Sequence, residues 1–306
     1  MILITGGAGF IGKHLVGSCL GRHDEVTIID KVPMPEEFSA KIGVAYRQAD
    51  AYRIESLLPK RKQPGLRIVH LAAETSVSRS LLRPLSSVRA NVGVTCALLE
   101  FARKMDSKSF LFASSAAVYG ERKAACRETD SPDPRSPYAA SKLAGEYYCR
   151  VYAKTYGIPV SILRFFNVYG PGQSDHYSGV VTAFLKAVSQ GRPPKINGDG
   201  KQTRDFVFVK DVVEAILKSL DTRLPPGGIM NIGTGRAITI NKLALKVLQV
   251  LRKENTQPIH LPAKAGEVRF SRADISLARR KIRFQPRYDI DNGLRLTSKW
   301  LMTSRK

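Results

Sequence analysis

The chain has 306 residues, of which 43% are hydrophobic and 25% are charged. These proportions are typical of a soluble globular protein, and they exclude a disordered chain, a fibre and a small disulfide scaffold. The 49 lysines and arginines outweigh 26 acids and give a net charge of +23, which attracts anions without naming a partner.

The sequence lacks the signals that are typical of several protein classes. No run approaches the roughly 18 apolar residues of a membrane helix, and the N-terminal MILITGG has no basic region of a signal peptide. The four cysteines form no CxxC pair, and no zinc finger, RNP-like motif or long basic tail accompanies the charge. We therefore expect a cytoplasmic protein with no metal, no membrane partner and no nucleic-acid partner.

The first half of the chain alternates short apolar runs with helical patterns. The runs predict strands at 1–5, 26–29, 44–46, 67–71, 110–113 and 160–165. Helical spacing follows the first strand and returns at 85–104, with Val88, Val92, Cys96 and Leu99 on one stripe, and at 136–156. This alternation predicts an α/β fold with a doubly wound parallel Rossmann sheet.

The second half is less regular. It predicts helices near 180–190, 210–220, 240–253 and 291–303, and a hairpin-type turn at Asn197–Gly200. We expect a Rossmann domain over 1–168 with returning segments near 205–232. A smaller, mixed α/β substrate-binding domain is expected over about 169–204 and 233–306.

The first predicted strand runs into a glycine-rich turn. Gly7, Gly9 and Gly12 match the spacing G-x-G-x-x-G, between a strand and a helix. Such glycines allow a tight turn and close approach of the backbone to a pyrophosphate, which then faces the helix N-terminus. The pattern predicts a dinucleotide-binding site.

An acid follows at the end of the second strand. Asp30 lies 18 residues after Gly12, where a carboxylate accepts hydrogen bonds from the ribose hydroxyls and favours NAD over NADP. Lys31 beside it favours the opposite choice. Asp50, after the third strand, is predicted either to reach the adenine or to cap the segment that follows it.

Tyr138 and Lys142 stand at positions i and i+4 near the start of the predicted helix 136–156, hence on one face. A nearby cation stabilises a phenolate and brings the pKa of tyrosine toward neutral pH, where it can act as a base. Ser114 and Ser115 end the fifth strand, and Ser115 is predicted to bind the substrate oxygen and relay its proton. Together with the glycine turn, these residues indicate oxidation of a hydroxyl group.

The chain resembles the extended short-chain dehydrogenase/reductases, the sugar-nucleotide epimerase/dehydratase family. The resemblance covers nearly the whole chain and is carried by TGGAGFIG (5–12), HLAAETSV (70–77), SSAAVYG (114–120), SPYAASK (136–142), RFFNVYGPGQ (164–173), INGDGKQTRDFVFVKDVVEA (196–215), NIGTG (231–235) and EVRFSRADISLARR (267–280). It implies bound NAD, a nucleoside-diphosphate sugar and a homodimer formed by the helices near 85–104 and 136–156.

The resemblance also implies roles for individual residues. The residues expected to bind NAD are Gly6, Gly9, Phe10, Ile11, Gly12, Asp30, Lys31, Asp50, Ala51, Leu71, Ala72, Ala73, Asn91, Ser114, Tyr138, Lys142 and Phe165. Those expected to bind substrate are Thr75, Ser76, Ser115, Asn167, Arg204, Lys264 and Ser271. Arg204 matches the family's diphosphate-binding arginine, Lys264 replaces a second arginine, and the small Ser271 leaves room for an N-acetyl group.

Two alanines separate the branches of the family. The stretch at Ala116 and Ala117 carries an Asp-Glu pair in 4,6-dehydratases and a Glu in decarboxylases, because elimination needs an acid or base there. The expected activity is therefore 4-epimerisation of a UDP-sugar: UDP-Glc/UDP-Gal, or UDP-GlcNAc/UDP-GalNAc. Two alternatives stay open, an NAD(P)H-dependent 4-keto-sugar reductase and a non-enzymatic NAD-binding regulator.

Some other residues receive structural interpretations. His70 is expected to be a satisfied core histidine, Tyr119 to pack in the interior, and Trp300 to anchor the last helix. Cys126 is expected in a surface loop, and Asp205 is expected to be structural.

Overall fold

The computed structural model describes residues 1–58, 61–173, 179–222, 224–225, 227–263 and 268–303. Its internal packing divides the chain into two compact units. The first unit comprises Met1–Val118, Pro134–Arg164 and Val213–Met230, and the second comprises Tyr119–Asp133, Phe165–Val212 and Asn231–Lys306. No described helix is long and apolar enough to cross a membrane.

Seven strands form one sheet. They are β1 (Ile2–Thr5), β2 (Val26–Asp30), β3 (Val44–Gln48), β4 (Arg67–His70), β5 (Ser109–Ser115), β6 (Val160–Phe165) and β10 (Gly228–Ile232), in the order β10-β6-β5-β4-β1-β2-β3. β1 pairs in parallel with β2 and β4, β2 with β3, and β4 with β5. The predicted Rossmann fold class is confirmed.

The strand residues explain why this sheet is central. All four residues of β1 and all six of β6 are buried, as expected of parallel strands covered on both faces. The strand order reverses between β1 and β4, and in open α/β sheets such a reversal marks the edge at which ligands bind. The glycine turn follows β1, residues 71–76 follow β4, and Ser115 ends β5.

The helices vary widely in length. They are α1 (Phe10–Leu20), α2 (Glu36–Ser39), α3 (Ile54–Leu57), α4 (Val77–Leu82), α5 (Pro84–Ser87), α6 (Val94–Lys104), α7 (Pro137–Tyr156), α8 (Val180–Ser189), α9 (Val209–Asp221), α10 (Ile240–Val250), α11 (Ser276–Ile282) and α12 (Ile290–Thr303). In the first unit α7 packs closely on β5 at Gly145. A Cβ added at this glycine would lie only 2.6 Å from the Phe112 ring, so the contact has no room for a larger residue.

The single helix predicted at 85–104 is wrong in detail. The segment consists of α5, a π-helical turn at Val88–Gly93 and α6. The wide turn shifts the helical register, so the predicted apolar stripe does not stay on one face. Val88 is 52% exposed, whereas Leu98 and Leu99 are fully buried.

The second unit contains two small sheets, so its mixed α/β character is as predicted. β7 (Asn167–Tyr169) pairs in parallel with β9 (Thr203–Phe208), which pairs antiparallel with β11 (Ala237–Thr239). β8 (Lys195–Asn197) pairs in parallel with β12 (Ile259–Leu261). The predicted hairpin at Asn197–Gly200 is therefore wrong: a turn joins β8 to β9, but each pairs with another strand.

A separate core holds the second unit together. Apolar side chains of α8, α10 and α12 pack on those of β7 and β9, including Phe184, Leu243 and Leu294. Trp300 of α12 is partly buried against this core, as predicted for a residue that anchors the last helix.

Candidate active site

The glycine turn of the first unit is shaped by close backbone contacts. Gly6 has φ of 75°, and a Cβ at Gly12 would collide with the carbonyl oxygen of Gly6. Gly9 caps α1 without a side-chain hydrogen bond, and Phe10 and Ile11 open the helix with no acid in its first turn. The turn therefore offers backbone N–H groups and an uncovered helix end, which fits the pyrophosphate of a dinucleotide.

Asp30 and Lys31 differ in their surroundings. One carboxylate oxygen of Asp30 accepts a hydrogen bond from the backbone N–H of Ala8 at 3.0 Å, so the acid lies beside the glycine turn. The Lys31 ammonium lies 3.0 Å from the Asp50 carboxylate, which also caps the turn that begins at the buried Ala51. Of the two predictions for Asp50, the structure shows the cap.

The segment after β4 returns close to the glycine turn. The backbone N–H of Leu71 donates to the carbonyl of Thr5 at 3.0 Å. A Cβ at Gly6 would lie 2.7 Å from the backbone nitrogen of Ala72. Leu71, Ala72 and Ala73 are half-buried, so these predicted NAD-binding residues lie together with the turn in the first unit.

Asn91 secures the next residues of this segment. Its carbonyl oxygen accepts from the Glu74 N–H at 2.8 Å, and its amide nitrogen donates to the Glu74 carbonyl and the Ser141 hydroxyl at 3.1 and 2.8 Å. The Ser76 hydroxyl caps α4, and Thr75 is exposed. Asn91 thus ties the segment to α7, which carries the tyrosine and lysine.

The carboxyl end of β5 brings the predicted catalytic residues together. α7 begins with Ser136 as its cap, which places Tyr138 and Lys142 on the first two turns. The Lys142 ammonium donates to the Ala113 carbonyl at 2.8 Å, and a hydrogen bond joins Ser115 to Tyr138. Three residues of one strand end, 113–115, therefore lie against this face of α7.

Burial shifts the pKa of both α7 residues. It raises the pKa of Tyr138, and the hydrogen bond from Ser115 acts in the opposite direction. It lowers the pKa of Lys142 to about 8. A buried tyrosine needs a cation to ionise near neutral pH, and a positively charged nicotinamide ring is one group that supplies it.

No acid accompanies the tyrosine in the stretch that separates the family's branches. Ala116 and Ala117 form a 3₁₀ turn directly after β5, and both are half-buried. The backbone N–H of Ala117 donates to the Ser115 hydroxyl at 3.2 Å. A methyl side chain transfers no proton, so these two positions supply no acid or base for an elimination.

His70 lies in the core, as predicted. It is 1% exposed and its ring nitrogens bind the hydroxyls of Thr5 and Thr95 at 2.8 and 3.0 Å. Burial, followed by the charge of Lys142, lowers the pKa of His70 to about 3. The ring is therefore neutral at physiological pH.

A buried ion pair beside Lys142 was not found from the sequence. Glu146 accepts from the Arg164 guanidinium at 2.8 and 2.6 Å and from the Ser114 hydroxyl at 2.5 Å. The available signal was spacing: Glu146 follows Lys142 by one helical turn and shares its face. Ser114, whose contact with NAD stays a prediction, donates its hydroxyl to this carboxylate.

The second unit contains the predicted substrate residues. The Asn167 amide donates to a backbone carbonyl of β9 at 3.2 Å, and the Arg204 guanidinium donates to the carbonyl of the preceding residue at 2.8 Å. Both are half-buried, as is Ser271. Phe165 is buried at the end of β6, and Lys264 lies outside the described residues.

Asp205 organises the segments around Arg204. Its carboxylate, fully buried, accepts from the N–H and hydroxyl of Thr234 at 2.8 and 2.6 Å, from Gly235 N–H at 2.9 Å and from Ala273 N–H at 3.1 Å. The structural interpretation of Asp205 agrees with these contacts, which bind β9, the 231–235 turn and the segment containing Ser271 to one another.

Asn231 makes a second connection in the same unit. Its side chain accepts from the Tyr119 hydroxyl at 2.7 Å and donates to the carbonyls of Cys126 and Asp274 at 2.9 and 3.2 Å. The prediction that Cys126 lies in a surface loop is wrong, because the residue is 2% exposed and bridges to Ala273. Tyr119 packs in the interior, as predicted.

Comparison with known proteins identifies the family. Residues 2–233 match the model of the NAD dependent epimerase/dehydratase family. This match covers most of the chain, so the protein belongs to that family, whose description names the NAD that the sequence predicted.

Individual relatives span several reactions. The chain is 36% identical to the UDP-glucose 4-epimerase of Mycolicibacterium smegmatis, over 96% of both chains. It is 32% identical to a UDP-N-acetyl-alpha-D-glucosaminuronate decarboxylase of Bacillus cytotoxicus, over 97% of this chain and 96% of the relative. The structure superposes with a TM-score of 0.92 on a UDP-N-acetylglucosamine 4-epimerase from Methanobrevibacter ruminantium M1 in complex with UDP-N-acetylmuramic acid, at 33% identity and with coverage of 99% and 98%.

Proposed function

We propose that the protein is an NAD-dependent epimerase that inverts C4 of a nucleoside-diphosphate sugar through a transient 4-keto sugar. The proposed substrates are UDP-Glc and UDP-Gal, or their N-acetylated counterparts. The observation that carries the proposal is the cluster of Ser115, Tyr138 and Lys142 at the end of β5, with alanines at 116 and 117. This cluster suits proton transfer at a hydroxyl and lacks the additional acid that elimination needs.

Tyr138 is the proposed base that takes the proton from the sugar 4-hydroxyl and later returns it. Ser115 holds the same oxygen and relays the proton, because it is hydrogen-bonded to Tyr138. Lys142 supplies the positive charge that stabilises the phenolate. Bound NAD would supply the acceptor and donor of the C4 hydride.

The first unit supplies the proposed NAD site. Backbone groups of the turn at Gly6–Gly12 bind the pyrophosphate, and Asp30 binds the ribose hydroxyls, which favours NAD over NADP. Lys31 is paired with Asp50, so its charge is partly neutralised. This pairing argues against a 2′-phosphate site and against the alternative of an NADPH-dependent reductase.

The second unit supplies the proposed substrate contacts. Arg204 binds the diphosphate, because its forked donors match phosphate oxygens in pairs. Asn167 and Lys264 assist it, and Ser271 leaves space beside the sugar. Because serine is small, we expect N-acetylated sugars to be accepted as well as UDP-glucose and UDP-galactose.

We also propose a homodimer. Apolar side chains are exposed along α4, α5, α7 and the π-helical turn in the first unit, where these segments pack on one another. The exposed residues are Val77, Leu81, Leu82, Leu85, Val88, Tyr147, Tyr148 and Val151. An apolar face of this kind on one unit fits a second copy of the same chain, which would bury it.

The replacement Tyr138→Phe tests the proposed base. Turnover is expected to fall by at least ~100-fold, the scale of a lost general base, while UDP affinity and bound NAD stay unchanged. Tyr156→Phe is the matched control, since Tyr156 lies on the same helix and is 53% exposed. A loss of turnover below tenfold in Tyr138→Phe, with binding intact, would remove Tyr138 from this role.

A further inference from the structure

Glu146 and Arg164 form an ion pair inside the first unit. Each side chain is 3% exposed, and the guanidinium contacts the carboxylate through two nitrogens. Burying such a pair costs several kcal/mol of desolvation per ion, which the mutual attraction offsets only in good geometry. A buried ion pair contributes little net stability. Its function is therefore better inferred from the groups that it contacts.

The pair is linked to the strand end that carries the active site. The Ser114 hydroxyl donates to Glu146 at 2.5 Å. On one side of Ser114, the Ala113 carbonyl accepts from Lys142. On the other side, Ser115 is hydrogen-bonded to Tyr138. A shift of Ser114 would therefore move both contacts at once.

Glu146 also follows Lys142 by one helical turn on the same face of α7. The groups around Lys142 are Tyr138, Glu146 and Cys149 on α7, His70 on β4, the Phe112 ring and Ala113 carbonyl on β5, and Arg164 on β6 through Glu146. The Cys149 thiol is neutral because burial raises its pKa well above the usual range, and His70 is neutral as described above.

We propose that Glu146 is a positioning residue for Tyr138 and Lys142: it fixes the 113–115 strand end through Ser114. The proposal rests on the proposed roles of Tyr138 and Lys142. Arg164 of β6 holds the carboxylate in place, and both side chains are buried away from solvent.

The replacement Ser114→Ala tests the link without changing any charge. We expect kcat to fall about tenfold, since small misplacements of catalytic groups are costly, while the KM for the sugar nucleotide stays within about twofold. Ser161→Ala is the control, because Ser161 is a buried serine on the neighbouring strand β6. Equal kcat values for the two variants would overturn the proposed link.

The double replacement Glu146→Met/Arg164→Met tests the anchor. It removes the carboxylate that accepts from Ser114 together with its guanidinium partner, so that no buried charge is left unpaired. The fall in kcat is expected to match that of Ser114→Ala, because both variants release the same strand end. A folded double variant with the wild-type kcat would contradict the role of Glu146.

A spectroscopic titration gives a readout that needs no turnover. The phenolate absorbance of Tyr138 is isolated as the difference between the purified holoenzyme and its Tyr138→Phe counterpart. In Ser114→Ala this titration is expected to move to higher pH by roughly half a unit to one unit, because a displaced Ser115 stabilises the phenolate less and a hydrogen bond is worth about 0.5–1.5 kcal/mol. An unshifted titration would overturn the proposal, whereas a shift in a protein that epimerises no UDP-sugar would contradict only the proposed function.

Discussion

Replacing Asp205 by asparagine is expected to destabilise the second unit. The carboxylate accepts four hydrogen bonds in a fully buried position, two at each oxygen. An asparagine retains one oxygen for two of the donors and presents its NH2 group to the other two. Two buried donors then lose their acceptor, at about 1–3 kcal/mol each.

One effect acts in the opposite direction. Burial raises the pKa of Asp205 while its hydrogen bonds lower it. Removing a charged carboxylate from water costs more free energy than removing a neutral amide, so the asparagine recovers part of the loss. The expected net loss is therefore about 2–4 kcal/mol, a large fraction of the usual 5–15 kcal/mol of a folded domain.

Urea unfolding followed by tryptophan fluorescence measures this loss. Trp300 is the single tryptophan and packs on the core of the second unit, so its emission reports that unit. The control Asp199→Asn alters an exposed acid in the same unit and is expected to leave the midpoint unchanged. UDP affinity is expected to fall in Asp205→Asn, because the segments around Arg204 lose their connection. Wild-type stability in Asp205→Asn would refute the argument that these four donors organise the unit.

Three further predictions concern the first unit. Gly12→Ala places a Cβ against the Gly6 carbonyl and is expected to abolish bound NAD in the purified protein; full NAD content would contradict this. Because the pKa of His70 falls from 6.5 to about 3 on folding, the unfolded state takes the proton first. The unfolding free energy should therefore drop by about 1 kcal/mol per pH unit as the pH falls below about 6.5. A His70→Asn variant whose unfolding free energy falls equally steeply with pH would refute this prediction. Leu85→Glu, at a leucine 76% exposed, is expected to yield monomers in light scattering, whereas Leu245→Glu, at a leucine 54% exposed on α10, should not; a dimeric Leu85→Glu protein would locate the interface elsewhere.

Periodicity was sufficient to predict the six strands of the central sheet that lie within residues 1–165. The apolar runs at β1 and β6 are buried on both faces, and the glycines that follow β1 lie between a strand and a helix. The register of the 85–104 segment could not be predicted, because a π-helical turn adds a residue to one turn without leaving a sequence pattern.

The second unit was harder because its strands have three to six residues and pair across long stretches of chain. The turn after β8 resembles that of a hairpin, yet β8 pairs with β12, which lies more than sixty residues away. The burial of Cys126 also depends on a distant partner, Ala273. Local sequence carries no information about such pairings.

In the candidate site, too, local features could be predicted from the sequence and contacts between distant segments could not. Tyr138, Lys142 and Ser115 were predicted because their spacing and their place after a strand are local features. The contacts of Glu146 and Asp205 were not, because each depends on partners from other elements. Asn91 illustrates the intermediate case: it was chosen as a site residue, and its side chain binds Glu74 and Ser141.

The most direct test of the central claim is to incubate the purified protein with UDP-Glc, UDP-Gal, UDP-GlcNAc and UDP-GalNAc separately, without added cofactor, and to follow the products by NMR. The account predicts interconversion of at least one C4 pair by the wild-type protein and almost none by Tyr138→Phe. If no pair interconverts even after NAD is added, while Tyr138 still titrates in the folded holoenzyme, the protein is not the proposed 4-epimerase.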